Sequence, residues 1–117
     1  MSKFHIYPIA PENRSQIFGC SYKGYIVTGF HELVDCFGYP NNTEPSADGK
    51  VQFEWILMLD RNRPFVIYPW KNNKQPWLIE RWHIGCHGLA TYDFIIKALG
   101  ELGFDTRKTH RVVQEGT

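Results

Sequence analysis

One alternating run in the middle of the chain constrains the fold more than any other feature. Over residues 51–59 every second side chain is large and apolar, and these side chains are Val51, Phe53, Trp55, Leu57 and Leu59. Successive side chains of a strand point to opposite faces, so this spacing places all five on one face. The run therefore predicts a long β-strand whose apolar face is covered by other parts of the chain.

Two predicted helices, each with apolar residues along one side, can cover that face of the strand. Apolar residues with i, i+3, i+4, i+7 spacing predict a helix over about residues 29–37. A second stripe begins at Leu89 and predicts a helix that ends at Gly100 or Gly103. Both helices need an apolar surface to pack against, and the alternating strand provides one.

Further strands accompany the first. Two more apolar and aromatic runs, at residues 65–70 and 77–85, predict a second and a third antiparallel strand, each preceded by turn-like sequence. Residues 25–27 form a short β-like run, and a weak alternation at residues 3–8 predicts an edge strand. Residues 11–20 have the composition of a loop.

Together these elements predict an α+β fold with two layers. The expected sheet is a three- to four-stranded antiparallel meander, and both helices pack on one of its faces. We expect a single domain over residues 1–104 and a polar C-terminal tail over residues 105–117.

Composition excludes several classes of protein. The 117 residues are 43% apolar and 15% aromatic, which argues against disorder, and the longest apolar run is far shorter than the roughly 20 residues that cross a membrane. Because the N-terminus lacks an apolar leader segment, we expect a cytoplasmic protein. The net charge of +1 argues against general nucleic-acid binding, and three widely spaced cysteines argue against a disulfide scaffold.

Aromatic and cationic side chains concentrate in the second and third strands of the meander and in the loop between them. Aromatic faces stack on flat rings, and Lys, Arg and His side chains donate to phosphate or carboxylate groups. The sequence therefore predicts a binding site for a small anionic ligand that carries a ring. Its candidate residues are Tyr68, Trp70, Lys71, Arg81, His83 and His87. Tryptophans also suit an apolar core, and this alternative stays open.

Other kinds of chemistry have less support in the sequence. A structural zinc site needs four ligands in paired short spacings, whereas residues 83–87 supply at most three, so we predict neither a metal nor a cofactor. A nucleophilic role for Cys86 needs a histidine on its own face, whereas the adjacent His87 points to the opposite face of a strand. The chain has no phosphate-binding glycine loop and no nucleophile elbow, and we predict no catalytic residues.

The other face of the first strand carries a second candidate surface. Ile56 and Met58 alternate with the core residues and point away from the predicted helices. Large apolar side chains on a wet face indicate a partner surface, although scattered apolar residues are also common there. The sequence therefore predicts a protein interface at these two residues.

Three short motifs, in order, resemble a pattern in a family of small, uncharacterised bacteriophage proteins. The motifs follow a helix end and are Glu54-Trp55, Ile67-Tyr68-Pro69-Trp70-Lys71 and Trp82-His83-Ile84-Gly85. In that family the second motif tends to read I-Y-D-W-K and the third W-H-I-G-G, so this chain departs from it at Pro69 and Cys86. The resemblance covers about residues 25–98, and it implies a viral accessory protein that acts in the host cytoplasm. It assigns no catalytic residues.

These observations favour a non-enzymatic protein that sequesters its ligand, such as a nucleotide-derived signal of host defence. Trp70 and Tyr68 are expected to stack on the ring, while Lys71, Arg81 and His83 donate to the anionic group. Because small domains form deep sites most easily between symmetric copies, we expect a homo-oligomer. The alternatives are an inhibitor that binds a host defence or replication enzyme, and a small enzyme that cleaves a nucleotide signal with a histidine as acid or base.

Overall fold

Within residues 4–113, which the computed structural model describes, six strands form one antiparallel sheet. The strands are β1 (Ile6–Pro8), β2 (Ser21–Val27), β3 (Trp55–Leu59), β4 (Arg63–Tyr68), β5 (Arg81–Cys86) and β6 (Thr109–Arg111). Their order across the sheet is β1-β3-β4-β5-β2-β6. The helices in this part of the chain are α1 (Phe30–Phe37), α2 (Leu89–Glu101) and two 3-10 helices, Pro11–Ile17 and Pro76–Leu78. Neither α-helix has the length and apolarity that crossing a bilayer requires.

The predicted α+β class is confirmed, whereas the predicted sheet of three to four strands is wrong. The weak alternation at residues 3–8 does contain an edge strand, β1, which pairs with β3. The β-like run at residues 25–27 is only the end of β2, because a bulge between Tyr22 and Gly24 interrupts the alternation of this strand. β5 begins at Arg81, since the residues before it form a 3-10 turn and not a strand.

β6 comes from the segment that the sequence predicts to be a polar tail. Thr109–Arg111 pair with β2, and the Tyr92 hydroxyl of α2 donates to the carbonyl oxygen of His110 at 2.7 Å. Polar side chains give no periodic signal, but backbone hydrogen bonds to a neighbouring strand order them. Residues 109–111 are therefore part of the sheet. The ends of the predicted domain and tail, residues 1–3 and 114–117, lie outside the described residues.

Both α-helices cover the same face of the sheet. α1 contributes Leu33 and α2 contributes Leu99, both fully buried against the apolar side of the strands. Trp55 and Trp82 form the centre of this core, and their indole N–H groups donate to backbone carbonyl oxygens at 2.9 and 3.1 Å. Each buried ring thus keeps its polar atom paired, which makes these two tryptophans structural.

The chain's own N-terminal segment covers the opposite face of β3. Ile56 and Met58 are 1% and 4% exposed, and they pack with Ile9 and Ile17, which flank and end the first 3-10 helix. The expectation of an exposed interface at Ile56 and Met58 is therefore wrong. The physical reason is that the predicted loop folds back over these side chains and removes them from water.

The remaining part of this face carries the candidate ligand-binding residues. Tyr68 at the end of β4, His83 of β5 and Tyr25 of β2 are all half-buried there. These partly exposed rings lie on strands that are paired on both sides.

Candidate ligand-binding site

Cross-strand pairing aligns four rings on this face. Tyr68 of β4 pairs with His83 of β5, and His83 pairs in turn with Tyr25 of β2. Tyr25 also pairs with His110 of β6. Paired residues of antiparallel strands share a face, with Cβ atoms about 5 Å apart. The register therefore produces a row of rings across four strands, which we call the aromatic row.

His83 lies at the centre of the contacts. Its ring centroid is 4.5 Å from that of Tyr22, 5.6 Å from that of Tyr68 and 6.2 Å from that of Trp70. The planes of His83 and Trp70 differ by only 15°. Burial lowers the pKa of His83, and the neighbouring Arg81 lowers it further. The imidazole is thus mainly neutral at pH 7, and it serves the site as a flat polar ring.

Trp70 stands at the rim of the aromatic row, 40% exposed. The ammonium groups of Lys50 and Lys71 lie 5.8 and 5.7 Å from its ring centroid. Lys71 has a left-handed backbone (φ 50°), and its N–H donates to the Lys50 carbonyl oxygen at 2.8 Å. This hydrogen bond holds both lysines beside the same indole, where a stacked ring and its anionic substituent can be bound together.

Arg81 adds a third cation. Its guanidinium carbon lies 4.3 Å from the ring centroid of Tyr25, a member of the aromatic row. This contact keeps the guanidinium over the Tyr25 ring, and the residue remains exposed. The donors of Arg81 are therefore held at the edge of the aromatic row and open to an anion.

A cavity of about 230 Å³ opens beside Trp70 on the same face. Its lining includes Tyr68, Trp70, Glu54 and Gly85. A Cβ atom on Gly85 would lie 3.1 Å from a methyl carbon of Val66, so the absence of a side chain keeps this space open. Sites for whole drug-sized molecules measure roughly 300–1,000 Å³, so this cavity suits a single ring system.

Glu54 gives the cavity a carboxylate. The Asn42 side chain donates to Oε2 of Glu54 at 2.7 Å, and the backbones of the two residues exchange hydrogen bonds of 2.9 and 3.1 Å. Burial raises the pKa of Tyr68 to about 12, and the nearby Tyr22 and Glu54 raise it as well. The cavity therefore offers an oriented acceptor at Glu54 and a hydroxyl at Tyr68 that stays protonated.

The structure brings most of the predicted site residues together. His83 contacts the rings of Tyr68 and Trp70, Lys71 lies beside Trp70, and Arg81 joins through Tyr25. The core interpretation of the tryptophans is therefore wrong for Trp70.

Among the described residues, His87 is the predicted site residue that neither lines the cavity nor contacts a ring of the aromatic row. Its Nε2 atom is 3.0 Å from the carbonyl oxygen of Gln16 in the first 3-10 helix. The alternation that places His83 on the open face does not extend to His87, because β5 ends at Cys86 and the chain turns toward α2. The place of His87 in the candidate site therefore stays a prediction.

Sequence reasoning missed several members of the site. These residues are Tyr22, Tyr25, Lys50, Glu54 and His110. Glu54 shares the strand face of Ile56, two residues away, and this alternation was a usable signal. Tyr22 and Tyr25 were missed because the bulge in β2 interrupts the alternation of this strand. His110 was missed because the polar residues of β6 give no apolar pattern.

The thiols near this face are poorly suited to nucleophilic chemistry. Burial raises the pKa of Cys20 to about 12, the nearby Cys86 raises it, and Lys23 lowers it. Cys86 is fully buried and donates to the Gly88 carbonyl oxygen at 3.3 Å. Both sulfurs are therefore protonated or enclosed at neutral pH. Among residues 4–113, no three His, Cys, Asp or Glu side chains come together as a metal-binding group.

A larger cavity, of about 960 Å³, lies beside α1. Its lining includes Trp77 and a cation, Lys108, but its ionisable side chains are mostly acidic, namely Glu32, Asp35, Glu80 and Asp105. Four carboxylates repel an anion, whereas the smaller cavity is lined by one carboxylate, Glu54, and has the ammonium groups of Lys50 and Lys71 beside Trp70. The electrostatics therefore favour the smaller cavity for an anionic ligand, despite its size.

The shifted titration of His83 predicts a pH dependence of stability. Its pKa lies below the ordinary value of 6.5, so as the pH falls the unfolded chain takes up this proton before the folded one does. The contribution to the free energy of unfolding is present above pH 6.5 and is lost progressively below it. We expect the free energy of unfolding, measured by chemical denaturation between pH 8 and pH 5, to fall more steeply with decreasing pH for the natural chain than for His83→Gln. The same pH dependence in both chains would contradict the lowered pKa of His83.

Comparisons of the chain with protein-family models, with curated proteins and with solved structures found no match.

Proposed function

We propose that this protein binds a small anionic ligand with a flat ring, of the nucleotide type, and holds it without converting it. The observation that carries the proposal is the setting of Trp70, a partly exposed indole that lines a ring-sized cavity and has two ammonium groups beside it. Tryptophan and lysine in this arrangement match the two halves of a nucleotide, namely base and phosphate.

The proposed binding mode follows from these positions. The ring enters the cavity beside Trp70 and stacks on its indole, with Tyr68 as the neighbouring wall. The phosphate then extends past the rim toward Lys50 and Lys71. Since the cavity holds one ring system, the sugar and the phosphate stay outside it, within reach of these flexible cations.

Binding without conversion is supported by the state of the nearby side chains. Burial keeps the Cys20 thiol protonated, and the lowered pKa of His83 belongs to an imidazole packed among rings. The resemblance to phage proteins adds a context, so we propose that the ligand is a nucleotide-derived signal in a host cell and that capture removes it from circulation. The homo-oligomer expected from the sequence stays a prediction, which sedimentation of the full chain will check.

Thermal-shift and calorimetric titrations test the proposal. The panel comprises nucleoside monophosphates, cyclic dinucleotides and ADP-ribose, with ribose 5-phosphate as a ligand that lacks the base. We expect a rise in Tm and saturable binding for at least one ring-bearing member and none for ribose 5-phosphate. Chromatography of the mixture after long incubation should return the ligand unchanged.

Three outcomes would overturn the proposal. One is the absence of stabilisation across the whole panel. Another is consumption of the ligand, which would make the protein an enzyme. A third is binding only to single-stranded oligonucleotides, with affinity that grows with their length, because this would identify the aromatic row as a surface for a polymer.

A further inference from the structure

We infer that the ring bound in the cavity is guanine, and that Glu54 is the residue that selects it. This inference rests on the proposed function and names the class of base within it. The observation behind it is that the wall beside Tyr68 and Trp70 carries a carboxylate, an acceptor-only group.

A carboxylate distinguishes the bases by their donors. Guanine presents two adjacent donors, N1–H and the 2-amino group, which match the two oxygens of a carboxylate. Adenine and cytosine present one amino group next to a ring nitrogen that is an acceptor, and a carboxylate repels that nitrogen. Uracil presents one N–H between two carbonyl groups. Only guanine therefore satisfies both oxygens of Glu54 at once.

Hydrogen bonds with Asn42 position the Glu54 carboxylate in the cavity lining. Asn42 donates to its Oε2 atom at 2.7 Å, and the paired backbones of the two residues fix the segment. One hydrogen bond uses one of about four lone-pair positions of a carboxylate, so both oxygens keep capacity for further donors. The side chain is half-buried, which strengthens a hydrogen bond to it relative to bulk water.

Glu54 places a carboxylate in a cavity lining that has cations near it, and one of these cations, Lys50, is itself paired with the Asp48 carboxylate at 3.9 Å. Lys50 and Lys71 flank Trp70, and Arg81 stacks on Tyr25. A carboxylate lowers the affinity for any anion, so its presence in the lining is unfavourable for phosphate binding in general. Hydrogen bonds donated by a base to Glu54 offset that repulsion, and guanine is the base that offers the most donors to it.

The test compares guanosine, inosine and adenosine monophosphates on the natural chain and on Glu54→Gln. Inosine monophosphate differs from guanosine monophosphate only by the missing 2-amino group, so their affinity ratio isolates one hydrogen bond to a charged acceptor. We expect a ratio of about tenfold to a hundredfold in the natural chain, and a ratio within about threefold in Glu54→Gln. Glu80→Gln, an equal charge change in the other cavity, should keep the natural ratio.

Each outcome bears on a different statement. If all three nucleotides bind equally well to the natural chain, guanine selection is overturned while the proposed function stands. If none binds, guanine selection is overturned, and the proposed function falls as well if the cyclic dinucleotides and ADP-ribose also leave the chain unstabilised. If guanosine monophosphate is preferred equally by the natural chain and by Glu54→Gln, Glu54 is not the selecting residue. Should Glu54→Gln fail to fold by circular dichroism, Glu54→Asp replaces it, with a reduced ratio expected because the shorter carboxylate is displaced.

Discussion

Replacing Trp70 with alanine is expected to weaken nucleotide binding by about fivefold to a hundredfold, because stacking on an aromatic side chain contributes about 1–3 kcal/mol per base. The substitution also removes the ring beside which Lys50 and Lys71 lie. Trp70 is 40% exposed and lies outside the core that surrounds Trp55 and Trp82, so the fold should persist. Calorimetric titration with the tightest nucleotide of the panel measures the loss.

The matched control is Trp77→Ala. Trp77 is another exposed tryptophan, 61% accessible, but it lines the acidic cavity and not the aromatic face. Its removal should leave the nucleotide affinity unchanged. Equal losses in the two variants, or unchanged binding in Trp70→Ala, would remove the stacking role from Trp70.

Replacing Gly24 with alanine is expected to lower the free energy of unfolding by about 3 kcal/mol, at the upper end of the usual cost of overpacking. Gly24 lies in β2 between β5 and β6, and a Cβ atom there would overlap the carbonyl oxygen of His110 and lie 2.6 Å from the Tyr92 hydroxyl oxygen. The carbonyl belongs to backbone and cannot rotate away. Relief therefore requires β6 to separate from β2, which also withdraws His110 from the aromatic row.

Urea denaturation compares this variant with Gly29→Ala. The three atoms nearest to a Cβ at Gly29 all belong to the carboxyl group of Glu32, a flexible group that can move aside, so the second variant should lose far less stability. We expect a large decrease of the midpoint for Gly24→Ala, with an unchanged slope if the native state stays compact. Equal midpoints for the two variants would show that β6 does not constrain Gly24.

The predictable part of the fold comes from segments with long apolar periods. Three segments are recognisable from their apolar periodicity, because each packs one face against the same core. They are the run over residues 51–59, which contains β3, and the two helical stripes that form α1 and α2. β6 gives no such signal, since its three polar residues are ordered by the hydrogen bonds of β2. The segment of residues 9–17 places only the buried Ile9 and the partly buried Ile17 against β3, too few residues for a sequence period to be visible.

The geometry of the candidate site was predictable where it follows strand alternation within one segment. Arg81 and His83 share a face for that reason, and Trp70 and Lys71 lie in the adjoining loop. Tyr25 and His110 enter through pairing between strands that are distant in sequence, which a single-strand pattern does not specify. His87 lies beyond the end of β5, where strand alternation no longer specifies the direction of a side chain.

The two outermost strands affect how the molecule behaves at high concentration. β1 and β6 have three residues each, and Pro8 of β1 has no backbone N–H. Long exposed borders of sheets are where neighbouring chains add strands and where fibrous aggregates begin. Within residues 4–113 both borders offer few backbone groups, so we expect little polymerisation through the main chain at high concentration.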